Sequence, residues 1–105
     1  MAEDPFFEVL TPLGFRVRMT RQRLEVITTI KHPVMRGRED EVRQTLHDSD
    51  EIRRSHGDPD VYLLYRLERP GRWLCAVVKQ LDDNGFVITS YPTDAIKAGE
   101  QVWSR

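Results

Sequence analysis

Trp73-Leu-Cys-Ala-Val-Val-Lys79 precedes an Asp82-Asp-Asn-Gly85 turn, which leads into Phe86-Val-Ile-Thr-Ser-Tyr91. Both arms are rich in the β-branched and aromatic residues that fit a pleated sheet. The pair Asn84-Gly85 is typical of the positive φ angles that tight hairpin turns require. This segment therefore predicts a β-hairpin, and it is the clearest structural signal in the chain.

The predicted hairpin carries polar side chains near its strand ends. Side chains alternate between faces along a strand, so Lys79 shares a face with Cys75, and Thr89 shares one with Tyr91. An ammonium, a hydroxyl and a phenol can each donate a hydrogen bond to an anion such as a phosphate. Water would satisfy the same groups, so the residue types leave open both a binding role and simple exposure to solvent.

The remaining segments predict an α+β domain. Two N-terminal helices are expected to pack on one face of a mostly antiparallel four-stranded sheet, after a short N-terminal hairpin, so that the other face is free to bind. The predicted elements are a hairpin over 6–10 and 15–20, a helix capped by Thr20 and ended by Pro33, a helix over 38–48, strands over 52–55 and 61–67, and a helical turn over 94–102.

Length and composition restrict the class of protein. The 105 residues suit one domain spanning 1–105, and no apolar run approaches the roughly 20 residues of a membrane helix. The acidic start lacks the features of a secretory signal, so a cytoplasmic location is expected. Cys75 is the single cysteine, so a disulfide framework is excluded and no zinc-binding pattern is present. Because Cys75 stands in a predicted strand, it is expected to be a core residue. No cofactor is expected.

Charge is balanced overall but segregated along the chain. The formal net charge of −1 argues against a protein that coats nucleic acid without specificity. Residues 16–38 nevertheless carry seven basic side chains against Glu25 alone, whereas residues 39–60 carry eight acids against three arginines. This segregation predicts a positive region on the surface.

Two positions suggest chemistry. His32 lies at the end of the first predicted helix, and its imidazole could transfer protons near neutral pH or simply cap the helix. Arg53 and Ser55 share one face of a predicted strand, while Arg54 occupies the other. A shift of one residue in strand register would present Arg54 instead of Arg53 on the open face.

The order of landmarks resembles a known superfamily. The landmarks are Lys31-His32-Pro33, Glu41-Val-Arg-Gln-Thr-Leu46, Asp50-Glu-Ile-Arg-Arg-Ser55, Val61-Tyr-Leu-Leu-Tyr-Arg66, Val77-Val-Lys79 and Phe86-Val-Ile-Thr-Ser-Tyr-Pro-Thr93. By the order of these landmarks, the chain is similar to small phage and bacterial proteins grouped with the barnase, EndoU, colicin and RelE-like nucleases. The resemblance covers the chain from about residue 20 onward.

The resemblance implies metal-independent RNA cleavage on an open sheet face. In that scheme His32 is the acid or base near the RNA 2′-hydroxyl, while Arg53 and Lys79 stabilise the pentacovalent phosphate. Because RNA supplies its own nucleophile, proton transfer and charge stabilisation would suffice. The implied contacts to phosphate or base are Ser55, Tyr65, Thr89, Tyr91 and Thr93.

Three alternatives therefore stay open: two functions from different classes, and a housekeeping domain for which the residues indicate no specific function. The first is a ribonuclease acting by 2′-hydroxyl attack, such as the toxin of a toxin–antitoxin pair, whose partners would be RNA and an antitoxin or other protein. The second is a non-catalytic domain that binds nucleic acid or protein on the same scaffold. The near-neutral charge and the lack of an evident second general acid weigh against the enzyme. The sequence does not fix the oligomeric state.

Overall fold

A single mixed sheet of seven strands dominates the fold. The computed structural model describes residues 5–96 and 99–105. The strands are β1 Pro5–Leu10, β2 Arg16–Thr20, β3 Glu51–Arg54, β4 Val61–Arg69, β5 Arg72–Leu81, β6 Asn84–Thr93 and β7 Glu100–Ser104. They lie in the order β1-β2-β6-β5-β4-β3-β7. β2 runs parallel to β6, and every other neighbouring pair is antiparallel.

The predicted architecture of two helices on a four-stranded antiparallel sheet is wrong. The opening strands do pair as a hairpin, but they also join the main sheet, because β2 pairs with β6 at Arg18 and Phe86. The helical turn expected over 94–102 includes residues 97 and 98, which lie outside the described residues. The end of that range belongs to β7, where Trp103 pairs with Ile52 of β3.

The helices are short. α1 spans Arg21–Val26 and continues as a π-helical turn over Ile27–Lys31, and a 3₁₀ turn covers Pro33–Met35. α2 spans Glu39–His47, within the range predicted for the second helix. In the part of the chain that the structure describes, no helix has the length and apolar character needed to cross a membrane.

Local hydrogen bonds explain how the first predicted helix begins and why it does not continue as regular α-helix. The Thr20 hydroxyl accepts a hydrogen bond from the backbone N–H of Arg23 at 3.1 Å, which is the expected N-cap. Thr28 and Thr29 donate from their hydroxyls to carbonyls of the preceding turn, a pattern that competes with the regular helical ladder. The His32 N–H then donates to the carbonyl of Ile27, and the chain turns at Pro33.

The hydrophobic core lies between α2 and one face of the sheet. This core face carries Val17, Leu64 and Ala76, which are all fully buried, and α2 covers it with Leu46. The opposite face, called the outer face below, carries Tyr65, Cys75, Val77, Thr89 and Tyr91, as the cross-strand pairs require.

The outer face is partly covered rather than free, because described residues of the connection from β6 to β7 contact it. Three strands separate β6 from β7 in the sheet. Ala95 lines a cavity with Leu63 and Tyr65, and the Gly99 carbonyl accepts a hydrogen bond from Arg53 Nη1 at 3.1 Å. Those contacts place Ala95 and Gly99 on the outer face.

The β5–β6 hairpin forms as predicted, but its turn differs. Asp82 takes the positive φ angle, at 56°, whereas Gly85 is an ordinary strand residue paired with Gln80. A Cβ atom at Gly85 would lie 2.8 Å from the carbonyl oxygen of Lys79 and 3.1 Å from Phe15 Cε2. Close packing against the Lys79 carbonyl and the Phe15 ring, not turn geometry, therefore requires the glycine.

Candidate functional site

The sheet register determines which predicted site residues face the same way. Arg53 pairs with Leu63, Tyr65 with Cys75, and Cys75 with Tyr91, so these side chains all belong to the outer face. Arg54 turns to the other face, where Nη2 donates to the Tyr62 hydroxyl at 3.2 Å. By the same alternation the remaining predicted strand residues on the outer face are Ser55, Lys79, Thr89 and Thr93.

Four of the predicted contact residues line one depression, called the outer-face cavity below. It has a volume of about 210 Å³. Its lining consists of Ser55, His56, Leu63, Tyr65, Tyr91, Thr93 and Ala95. The His32 ring lies beside it, with its centroid 5.2 Å from that of the Tyr91 ring. The predicted histidine and the predicted hydroxyl groups therefore do come close together.

Cys75 lies between two phenols next to this cavity. Its thiol forms hydrogen bonds with Tyr91 and Tyr65, and burial raises the pKa of the thiol to about 12. Burial also raises the pKa of the Tyr91 phenol above its ordinary value, and the neighbouring Cys75 acts in the same direction. Both groups are therefore protonated at neutral pH, and Cys75 is not a thiolate nucleophile.

The two predicted catalytic cations are engaged elsewhere. Arg53 Nε donates to Glu51 Oε2 at 2.6 Å, and Lys79 Nζ donates to Asp58 Oδ2 at 3.0 Å. Lys79 also lies four residues from Cys75 along β5, a separation of about 13 Å. The structure thus does not gather His32 and these two cations around one phosphate.

A second depression on the same side of the sheet, called the basic groove below, was not predicted. It lies where β2 ends and α1 begins beside β6, and its volume is about 490 Å³. Its lining consists of Arg18, Thr20, Gln22, Arg23, Val26, Phe86 and Val87. Within residues 5–96 and 99–105, no acidic side chain forms an ion pair with Arg18 or Arg23. Two cationic groups therefore border the groove without a described acidic partner.

Phe86 has a cation on each side in the sheet. It pairs with Arg18 of β2 and with Lys79 of β5, and directly paired residues project from the same face. The Cβ atoms of such pairs are about 4.5–5.5 Å apart. An aromatic ring is thus flanked by an Arg and a Lys.

Part of this groove had a signal in the sequence. The excess of basic residues over 16–38 indicated a positive surface, and that segment supplies Arg18 and Arg23. Nothing local indicated that Phe86 would join them, because this contact depends on the long-range pairing of β2 with β6.

Neither site, in its described residues, has the ligands of a metal centre. Among the residues that the structure describes, no three His, Cys, Asp or Glu side chains are grouped so that they could hold a metal ion. The chemistry available on the outer face comes from hydroxyls, imidazoles, cations and aromatic rings.

Comparison with known proteins adds no assignment. No protein-family model matches the chain, and no curated protein or solved structure matches it at a significant level. The function is therefore inferred from the geometry.

Proposed function

We propose that the protein binds single-stranded RNA on its outer face without cleaving it. The observation that carries this proposal is the cross-strand row Arg18, Phe86 and Lys79, in which one aromatic side chain lies between two cations. Proteins hold single strands by stacking bases on aromatic side chains while basic groups follow the phosphates. Phe86 is the stacking residue in this proposal.

The basic groove supplies the phosphate contacts. Arg18 and Arg23 line it together with Phe86, so a base on the ring would leave its phosphate near the guanidinium groups. Arg is suited to this role because its planar fork can donate two parallel hydrogen bonds to one phosphate. Lys79 can contribute by leaving Asp58, and giving up a half-exposed ion pair of this kind costs little.

Binding agrees better with these positions than cleavage does. A nuclease of the predicted type needs an imidazole and cations at the same phosphate. Here His32 lies against Tyr91, whereas Lys79 is about 13 Å further along the sheet and Arg53 bonds to Glu51 and Gly99. The non-catalytic alternative is therefore the function that we favour.

The expected affinity is modest and depends on salt. Three phosphate contacts would give a slope of about −2 in a plot of log K against log salt concentration, at about −0.7 per contact for single strands. Stacking of one base adds about 1–3 kcal/mol. The net charge of −1 fits a localised contact rather than a general coating of nucleic acid.

Fluorescence anisotropy with a labelled mixed-sequence RNA of twelve nucleotides would test the proposal. We expect Phe86→Leu and Arg18→Gln each to weaken binding about tenfold, and Arg18→Gln also to reduce the salt slope by about 0.7. The matched control is Arg43→Gln, which removes the same charge from α2 on the core side of the sheet and should leave binding unchanged. Equal affinity of all three variants and wild type, or no binding, would overturn the proposal.

Two further experiments distinguish RNA binding from DNA binding and from RNA cleavage. DNA of the same sequence shows whether the 2′-hydroxyl contributes to affinity. Incubation of unlabelled RNA with the protein in excess EDTA should leave the RNA intact. Cleavage to cyclic-phosphate ends that disappears in His32→Ala would instead support the ribonuclease.

A further inference from the structure

The outer-face cavity has the size of one small heterocycle. Its volume of about 210 Å³ corresponds to about seven water molecules in the liquid, at roughly 30 Å³ each. A single nucleobase, pyrimidine or purine, fits within that volume.

The lining of the cavity suits an uncharged, flat ligand with hydrogen-bonding edges. It contains hydroxyl groups, one imidazole and the apolar side chains of Leu63 and Ala95, and among the described lining residues there is no Lys, Arg, Asp or Glu. A charged ligand would lose its hydration without gaining an opposite charge, which is costly. Tyr65 and Tyr91 offer aromatic surface against which a flat ring can pack.

The hydroxyl groups favour a ligand that presents carbonyl oxygens. Ser55 Oγ accepts a hydrogen bond from the Gly57 N–H at 3.2 Å, so its own hydrogen can be donated to a ligand. Thr93 Oγ1 donates to the Ala95 carbonyl at 3.1 Å, which fixes one side of the cavity. Pyrimidine bases carry a carbonyl oxygen that can accept from Ser55.

The cavity and the basic groove are connected by one strand. Phe86 and Tyr91 both belong to β6, five residues apart, which is a distance of about 17 Å. A register shift opposite Val77 and Val78 inserts one extra residue in β6 and so places both side chains on the outer face. That span equals about five stacked nucleotides at about 3.4 Å per step, or fewer if the strand is stretched. A bound strand could therefore place one base on Phe86 and a later one in the cavity.

We infer that the outer-face cavity is a base-binding pocket that takes one carbonyl-bearing base of the bound RNA, uracil or cytosine in preference to adenine. This inference rests on the proposed function and deepens it: the groove supplies affinity for any single strand, and the cavity supplies a preference among bases. Adenine has no carbonyl oxygen, so discrimination against it follows from the Ser55 hydroxyl.

Binding of oligouridine, oligocytidine and oligoadenosine, eight nucleotides each, would test the inference. We expect wild type to bind one or both pyrimidine oligomers at least fivefold more tightly than oligoadenosine. Ala95→Leu, which fills the cavity, should bring the affinities for pyrimidine and adenosine oligomers within twofold of each other. Ser55→Ala should reduce the preference, while Ser104→Ala on the exposed end of β7 should not change it.

A second measurement does not depend on the phosphate contacts. Trp73 pairs with Thr93 at the edge of the cavity, so its fluorescence should change on titration with free uridine or cytidine in wild type but not in Ala95→Leu. RNA binding that depends on Arg18 and Phe86 but is equal for all bases would overturn the pocket and keep the proposed function. If no oligomer binds, the proposed function fails, and the pyrimidine preference of the pocket fails with it.

Discussion

The thiol of Cys75 is completely buried between Tyr65 and Tyr91, in the centre of the outer face. The sequence indicated burial, because a lone cysteine stood in an apolar predicted strand. It could not indicate the two phenols, because the register that brings three different strands together is not visible in any one of them. The contact of Phe86 with its flanking cations could not be predicted either, because it also depends on strand register. His32 and the hydroxyl groups, in contrast, were recognisable by residue type alone.

Alkaline pH should destabilise the protein through Cys75. Burial raises the pKa of the folded thiol to about 12 from an ordinary value of 9.0, so the unfolded chain loses this proton first. The stability that the protonated thiol contributes to the folded state is fully present below about pH 9 and is lost as the pH rises through about 12. Between pH 7 and pH 10.5 we expect wild type to lose about 2 kcal/mol more than Cys75→Ala, at about 1.4 kcal/mol per pH unit.

Urea unfolding at both pH values measures this difference. Burial, the main cause of the raised pKa of Tyr91, remains in both proteins, whereas the part that Cys75 contributes is lost in the variant, so the comparison reports the thiol together with its effect on Tyr91. Equal losses of stability in wild type and Cys75→Ala would mean that the thiol is not protected in the folded state.

At the scale of elements, the junction between β2 and β6 depends on the absence of a side chain at Gly85. We expect Gly85→Ala to destabilise the protein by about 1–3 kcal/mol, because the new methyl group would meet the Lys79 carbonyl at 2.8 Å and the Phe15 ring. Gly57→Ala is the matched control: the nearest atom to its Cβ would be 3.9 Å away, so a change within about 0.5 kcal/mol is expected. Chemical denaturation of both variants checks the prediction, and equal stability would contradict it.

The elements that could be predicted are those encoded locally. The β5–β6 hairpin and α2 have their signals within a few residues: alternating apolar positions in one case, and acidic residues at the helix start in the other. The parallel pairing of β2 and the addition of β7 depend on partners far away in sequence. β7 also contains few apolar residues, and the strand it extends, β3, is only four residues long.

At the scale of the whole molecule, three carboxylates among the residues that the structure describes couple stability to acid pH. A hydrogen bond from Arg38 lowers the pKa of Glu41, and one from Arg105 lowers the pKa of Asp48. The pKa of Asp58 is lowered first by a hydrogen bond from the Asp60 backbone and then by one from Lys79. Each carboxyl group is therefore more acidic in the folded state than in the unfolded chain. The stability that its ionised form contributes is present above the ordinary pKa of about 4 and is lost as the pH falls through the lower folded pKa.

The melting temperature should accordingly fall as the pH is lowered from 5 to 2.5. Arg105→Gln should make this fall shallower, because it removes the guanidinium that lowers the pKa of Asp48. Since these groups lie near the surface, 1 M salt should reduce the difference between wild type and variant. An unchanged acid profile in Arg105→Gln, with Arg16→Gln as the charge-matched comparison, would show that this pair contributes nothing.

We expect the parallel pairing of β2 with β6 to form late in folding. The antiparallel strands β4, β5 and β6 each pair with a strand that is adjacent in sequence. β2, in contrast, pairs with β6, whose residues come much later in the sequence. Closing such long loops is slow compared with forming hairpins. Arg18 and Phe86 thus meet only when this late docking step is complete, so a half-folded chain would present its hairpins to solvent before it possesses any basic groove.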